Sequence, residues 1–356
     1  MSAVDGALTG TLEPSADHAE KRRRLLAVLD DAGAEALALT GATTLAWYLD
    51  GARSHVSLAA DPVLAVRVDR AGDEVLLTSN ETARLVAEEL PGWLAVGERP
   101  WFAPPPDLAA LPEAAVADAL LAARSPLLPV ETARFAALGA DAAAALTDVL
   151  DAAEPTWTER RLAAEVARAV VDRGADPLVV LVGGEARAAL PHPLPTDGPL
   201  GARVLVVLCA RRHGLVANLS RALAFGALSG AERDVQDRVL AVEQAVLDAL
   251  VPGATLGEVL DVVGRGYADH GFGADHWRGH HQGGVAGYAG RDPRATPGSA
   301  FRVAAGQAFA WNPWVPGGKI EDTVLLTAAG TSVLTLDPRW PTARVGGRDR
   351  PVAHER

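Results

Sequence analysis

The sequence predicts an α/β protein of two domains, the second built from a repeated helix-and-strand unit. Three observations carry this. The chain has 356 residues, 49% of them hydrophobic and 22% charged, which is enough for two cores at roughly 100–200 residues per domain. Helical and strand-like patterns alternate along it. One combination also recurs: a proline-containing turn leads into a helix and then into β-like segments, first at Glu154–Glu159 and again at Val251–Leu256, with Pro155 and Pro252 separated by 97 residues. Two such units in one domain suggest a duplication with a cleft between its halves.

From Lys21 to about Gly33, Leu25, Leu26, Val28 and Leu29 recur at helical spacing. The run Lys21-Arg22-Arg23-Arg24 opens this segment and is expected to be a solvated first helical turn rather than a binding patch. Ala36–Thr40, Val63–Arg67 and Glu74–Thr78 read as strands, with turn chemistry at Gly72-Asp73. A proline-rich stretch from Pro100 to Pro112, followed by Ser125–Pro129, breaks both periodicities and suits a crossing between domains near residue 130. The expected division is residues 1–130, 131–340 and a C-terminal tail, 341–356. In the second domain, helices end at Arg173–Asp176 and His270–Gly273, and Leu178–Val182 and Val204–Leu208 read as strands.

Composition narrows the function. The net charge is −12 and the pI about 5.2, so polyanions are repelled on average and neither nucleic acid nor a membrane surface is an expected partner. One cysteine, Cys209, excludes an intramolecular disulfide and a cysteine-built zinc site. No basic segment followed by a long apolar stretch opens the chain, and the apolar runs are strand-sized, so a cytoplasmic protein is expected.

Chemistry is expected where polar groups interrupt strand-like or glycine-rich sequence. Leu190–Asp197 is a proline-stiffened loop presenting His192; Val204–Arg221 reads as a strand, a turn near Gly214 and a return strand. His276-Trp-Arg-Gly-His280-His-Gln-Gly-Gly284 packs three histidines among glycines, a pattern that lets backbone approach a ligand beside groups titrating near neutral pH. The last segment is Gln307–Trp314, followed by Lys319-Ile-Glu-Asp-Thr323.

Gly214-Leu-Val-Ala-Asn-Leu-Ser-Arg221, His276-Trp-Arg-Gly-His280, Trp311-Asn-Pro313 and Ile320-Glu-Asp322, in that order, resemble the creatinase/aminopeptidase P family of pita-bread proteins. The resemblance implies a creatinase-type N-terminal α/β domain and a duplicated catalytic-type domain over nearly the whole chain. It also implies a homodimer, with the N-terminal domain of one chain reaching toward the other chain's cleft. In that family two Asp, one His and two Glu hold a pair of divalent ions. Counted from Arg221, those positions fall here on Val207, Asn218, His280, Asn312 and Glu321. Hard divalent cations need anionic oxygens, so no metal and no other cofactor is expected.

What the resemblance leaves is a pocket of mostly neutral polar groups. His192, His280 and Glu321 are the expected catalytic residues, His192 as general acid/base and Glu321 orienting a substrate nitrogen or a water. Asn218, Asn312, His276, Arg221, Trp311 and Cys209 are the expected substrate contacts. His280 and Glu321 are expected to face each other, the carboxylate raising the histidine's pKa. Strand alternation puts Cys209 on the face of Val207, as nucleophile or as an inert packed thiol. Trp277, Trp311 and Trp314 either give the cleft an aromatic wall or pack under the glycine loops. The leading expectation is a metal-independent creatinase-like hydrolase or lyase acting on a C–N bond of a small amide, guanidino or peptide-like substrate. A non-catalytic binding protein of the same fold is the alternative, and an Xaa-Pro-type metallopeptidase the third.

Overall fold

The computed structural model describes residues 16–104 and 106–356. The chain divides into two compact units, residues 1–124 and 125–356.

The first unit runs α1 (Ala16–Ala32), β1 (Ala36–Leu39), α2 (Ala42–Tyr48), β2 (Leu64–Asp69), β3 (Asp73–Thr78), a single turn α3 (Thr82–Arg84), β4 (Ala95–Arg99), β5 (Leu111–Pro112) and α4 (Ala117–Arg124). Its sheet has the order β4-β3-β2-β1-β5, with β1, β2 and β3 antiparallel and both edges paired parallel. The β2–β3 turn is held by Asp69, whose Oδ1 accepts from the backbone N–H of Ala71 and Gly72. Leu25 and Leu29 of α1 are fully buried, as their spacing requires. The basic run is not a solvated first turn. It lies in the second turn of α1, where Lys21 is 0% exposed and its Nζ pairs with Asp50 at 2.6 Å. Arg22 pairs with Asp73, and Arg23 and Arg24 with Glu20. A lysine inside a helix–sheet contact persists only when paired.

The second unit shows the repeat. Helices α5 (Pro129–Ala152) and α6 (Glu159–Val171) precede β6 (Asp176–Gly183), β7 (Arg203–Arg212) and β8 (Leu215–Ala224). Helices α7 (Gly230–Ala249) and α8 (Leu256–Asp269) precede β9 (Gly283–Ala286), β10 (Ala308–Trp311), the small β11 (Trp314–Val315) and β12 (Gly318–Lys319), and β13 (Asp322–Thr327). The N-caps of α6 and α8 are Thr158 and Thr255, which keep the 97-residue offset of the two prolines. Each hydroxyl accepts the N3 backbone N–H, from Arg161 and from Glu258. The rest is β14 (Gly330–Val333), β15 (Thr342–Val345), β16 (Arg348–Pro351) and β17 (His354–Glu355).

Residues 341–356 are therefore no tail: β15 and β16 form a hairpin, and β17 adds in parallel to β8. The sheets are β17-β8-β7-β6 and β14-β13-β10-β9. Their meeting line is β8 against β13, where Thr323 Oγ1 accepts from Asn218 N at 2.8 Å and donates to Asn218 O at 3.0 Å. Val242 and Val246 of α7, Leu256, Val263 and Tyr267 of α8, and Phe309, Trp311 and Val324 of the second sheet form one apolar core. No helix among the described residues is long and apolar enough to cross a membrane.

Four buried charges cross this core. Asp322 Oδ1 accepts both Arg221 Nη1 and Nη2 at 3.1 Å and the Thr335 hydroxyl at 2.6 Å. Its Oδ2 accepts Arg350 Nη2 at 2.8 Å, and Arg350 also forks onto Glu243, with Nε to Oε2 at 2.7 Å. Strand β8, strand β13, the C-terminal hairpin and α7 are thereby tied at one point. Arg221, expected to contact substrate, is instead a structural cation with its donors committed inside this network.

Removing one member of a buried ion network leaves an uncompensated charge, at a cost of roughly 3–5 kcal/mol. Arg350→Ala is expected to lower the free energy of unfolding in urea by that amount. A loss of less than about 1 kcal/mol, the size of a surface pair, would show that the network does not hold the unit together.

Candidate active site

Three loops bring the site together. His280 follows a single 3-10 turn at His276–Gly279. Gln282 clamps this loop: its Nε2 donates to Trp277 O at 3.0 Å and to His280 O at 2.6 Å, and its Oε1 lies 3.0 Å from the Tyr267 hydroxyl. Asn312, with its amide nitrogen turned toward the loop, donates to His281 O and Gln282 O, both at 2.9 Å. Gly283 follows at φ +150, and a Cβ there would sit 2.6 Å from Ala310 O and from the Trp311 ring. That close approach of β9 to β10 accounts for the glycine.

His192 stands between Pro191 and Pro193, on a loop pinned to β6 by the Val182 N–H donating to Pro193 O at 3.1 Å. Its Nε2 lies 3.1 Å from His280 Nε2. The ring centroids of His192, His280 and His281 are 4.6 Å, 4.6 Å and 5.4 Å apart. Glu321 precedes β13, and its carbonyl accepts Ser220 N–H at 2.9 Å. Its carboxylate is buried; Oε1 accepts Arg291 Nη2 at 2.7 Å, while Oε2 has no partner. Lys319 reaches the same place from β12, with Nζ 3.5 Å from His280 Nε2 and 3.4 Å from Pro191 O.

The electrostatics correct one expectation. Glu321 is bonded to Arg291 and not to His280, and the pKa of His280 is lowered, not raised. Burial, reinforced by Lys319, His281, His192 and Arg291, pushes it down to about 2. Burial of the ring, with Arg291 and His192, lowers His281 to about 4, although the residue keeps an exposed edge. His192 is lowered by burial and Lys319 against the pull of Glu321. Lys319 is lowered by burial and by Arg291, with Glu321 opposing. At neutral pH the cluster is thus three neutral imidazoles beside two basic groups and one carboxylate.

His192, His280 and Glu321, the expected catalytic residues, gather on this cleft with Lys319 and Arg291. Asn218 and Cys209 are cross-strand partners on β8 and β7; Asn218 Nδ2 donates to Val216 O at 3.0 Å. Burial and the Glu321 charge push the Cys209 thiol up to about 12, which leaves it protonated and a poor nucleophile. Trp311 is 1% exposed within the apolar core and forms no aromatic wall. His276 is half-buried, its Nε2 3.1 Å from Trp314 O. Reading by motif missed Lys319 and Arg291. The signal for Lys319 is its rarity, since it and Lys21 are the only lysines among the 33 Lys and Arg residues. Arg291, in a glycine-bordered loop, carries none.

The His192, His280 and His281 ring nitrogens lie within 4.8 Å of one another, a spacing at which three imidazoles can share one ion. The Arg291 guanidinium, close enough to lower the pKa of both His280 and His281, opposes a cation there.

A duplicated α/β unit with a polar cleft where its two sheets meet defines the class, and comparison with known proteins gives the family. Residues 134–328 match the model of Metallopeptidase family M24, and the chain belongs to that family. It is 26% identical over 192 residues to an Xaa-Pro dipeptidase of Pyrococcus horikoshii, a match spanning 51% of this chain and 54% of that protein, about half the length of each. The crystal structure of a prolidase from Pyrococcus horikoshii OT3 superposes with a TM-score of 0.74 at 18% identity, covering 90% of this chain and 99% of that one. The dipeptidase PepE from Mycobacterium ulcerans gives 0.74 at 21% identity, over 96% and 98%. The fold is therefore the pita-bread fold, as the motif order implies.

Imidazole NMR gives a direct test of the cluster. His281 is expected to titrate near pH 4, and His280 to stay neutral through the range in which the fold survives. Because these groups bind protons more readily unfolded, at about 6.5, stability is at its plateau above that pH and falls as pH drops toward 4. A His280 titration near 6.5 in the folded protein would remove the proposed environment.

Proposed function

We propose that the chain is a metal-independent hydrolase or lyase of the creatinase-like kind, cleaving a C–N bond in a small amide, guanidino or peptide-like substrate. The observation that carries this is the pairing of Arg291 with Glu321. Of the five positions that correspond to the metal ligands of the family, only Glu321 has a carboxylate, and a guanidinium is bonded to it at 2.7 Å. Val207 has no donor atom, and the amide nitrogens of Asn218 and Asn312 are engaged with backbone carbonyls. The donor set does not fit a pair of hard divalent ions.

On this reading the chain's own side chains perform the step. A water, or the nitrogen of the scissile bond, is oriented by Glu321 Oε2, the carboxylate oxygen left without a partner. His192, neutral at pH 7 and open to the cleft, takes the proton of the attacking water as the C–O bond forms. It then delivers the proton to the departing nitrogen as the C–N bond breaks. His280, 3.1 Å away, fixes the tautomer of His192 through their shared hydrogen bond. An Xaa-Pro-type metallopeptidase is the second reading, favoured by what the named relatives are. The non-catalytic binding protein is the third.

Protein purified without chelator is expected to carry well under one Mn, Co, Zn or Fe per chain by elemental mass spectrometry. His192→Ala is expected to cost roughly 10²–10⁴-fold in turnover of the ligand that co-purifies, with the ligand still bound. Two ions per chain, lost together with activity on chelation, would establish the metallopeptidase instead. Binding with no turnover in the parent would establish the binding protein. We also propose a homodimer, which sedimentation at micromolar concentration checks; a species of about 36.9 kDa would refute it.

A further inference from the structure

The second unit holds a space that the histidine cleft does not use. A cavity of about 160 Å³ lies between the β7–β8 pair, α7 and the β11–β12 hairpin. None of His192, His280, His281, Arg291 and Glu321 lines it. Lys319 borders both spaces, with its Nζ on the cleft side, 3.4 Å from Pro191 O. Small side chains leave the space open. Leu205 pairs with Ala222 and Arg203 with Ala224, so these four and Ser220 share one face of the sheet. The larger walls are apolar: Leu205, Leu223, Val239, Leu240 and Ile320. Charges at its edge are already engaged, Arg203 Nε donating to Glu232 Oε1 at 2.5 Å and Arg221 bonding to Asp322. Two polar atoms are not. Ser220 is 2% exposed and Trp314 9%, both line the cavity, and neither Ser220 Oγ nor Trp314 Nε1 has a partner. A buried polar group without a bond keeps its full desolvation cost, so a ligand atom that bonds to either would gain by it.

We propose that this cavity is a second binding site, for a neutral molecule of the phenol class: one ring carrying one hydroxyl. Volume sets the ring. An apolar cavity of about 150 Å³ is large enough to bind benzene, and this one is slightly larger. The walls set the charge. With Arg203, Glu232 and Arg221 engaged and Lys319 Nζ turned to the cleft, an ionised ligand would lose its hydration and gain no counter-ion. The two orphaned atoms set the functional group. An indole N–H only donates, whereas a serine hydroxyl also accepts and rotates to suit its partner. A phenolic oxygen can accept from Trp314 Nε1, and its hydrogen can go to Ser220 Oγ. The ring then lies among Leu205, Val239 and Leu240. None of this depends on whether the cleft holds a metal.

The full chain, isotope-labelled at leucine and valine methyls and at histidine, is titrated by NMR with phenol and, separately, with toluene. Phenol is expected to saturate with a Kd below about 1 mM, within reach of a ligand of its size. It should move the methyl signals of Val239 and Leu240 and leave the His192 and His280 rings in place. Weaker binding, or shifts confined to the histidine rings, overturns the proposal. Ser220→Ala is expected to bind phenol roughly 2–10-fold more weakly, the worth of one neutral hydrogen bond, with toluene affinity unchanged. Because that hydroxyl has no partner in the free protein, the variant should melt no lower than the parent. Equal effects on phenol and toluene, or none on phenol, would overturn the assignment of a hydroxyl-bearing ligand. Ala222→Leu, which sets a larger side chain on the cavity face, should abolish binding of both molecules, and binding that survives it lies elsewhere and overturns the site. If that variant does not fold, Ser220→Ala and the methyl shifts of the parent still decide.

Discussion

A carboxylate that is 1% exposed cannot stay ionised without compensating cations, and Asp322 has two. Arg221 and Arg350 approach its two oxygens from different elements, and Arg350 carries the charge balance on to Glu243. Two arginines and two acids thus cancel in a space that water does not enter. The position of the cleft follows from this cancellation. Glu321 is the residue before Asp322, and Lys319 comes two residues earlier, so fixing Asp322 between β8, β16 and α7 fixes where both side chains emerge. The C-terminal hairpin, far along the chain from the histidines, is therefore part of the apparatus that places them.

The cleft itself is arranged differently. Arg291 and Lys319 stand with one carboxylate among neutral imidazoles, and Arg291 is bonded to that carboxylate. At an effective dielectric of about 20, two unit charges 4 Å apart interact by about 4 kcal/mol. A divalent ion entering beside Arg291 would feel twice that repulsion from the guanidinium at such a distance, and Glu321, already bonded to Arg291, would be the one carboxylate to offset it. The geometry of the three histidines alone would admit an ion, and on the metal-free reading the guanidinium bonded to Glu321 is what opposes it.

Much of this was legible in the sequence. The strands Ala36–Thr40 and Glu74–Thr78, the hairpin through Gly214 and the offset between repeats are set by local periodicity and turn chemistry, which a single sequence carries. The order of motifs from Gly214 to Asp322 was enough for the family and fold. Properties that depend on distant partners were not legible. Arg221 reads as a site arginine until Asp322 and the Thr335 carbonyl are seen to occupy its guanidinium, the former 101 residues away. Lys21 reads as solvated until Asp50 is found beneath it. His280 and Glu321 do share a cleft, but Arg291 comes between them in charge, and no pattern in Tyr288–Pro293 announces that.

Asn312 joins the two themes. Its amide nitrogen donates to His281 O and Gln282 O and so holds the loop that presents His280. A carboxylate in the same place would set its oxygens against two carbonyl oxygens, with no donor to offer either. It would be tolerable only with a proton or a bound cation between them. Asparagine supplies the donors itself. On the metal-free reading, then, the change that withdraws a ligand at residue 312 is the same change that lets the histidine loop be held without an ion. Arg291 does the corresponding work at Glu321, satisfying one oxygen of a buried carboxylate from within the chain. On that reading, Asn312 and Arg291 each provide from within the chain what an ion would otherwise provide. They leave Glu321 Oε2 as the one carboxylate oxygen of the site still free to bond to something that is not protein.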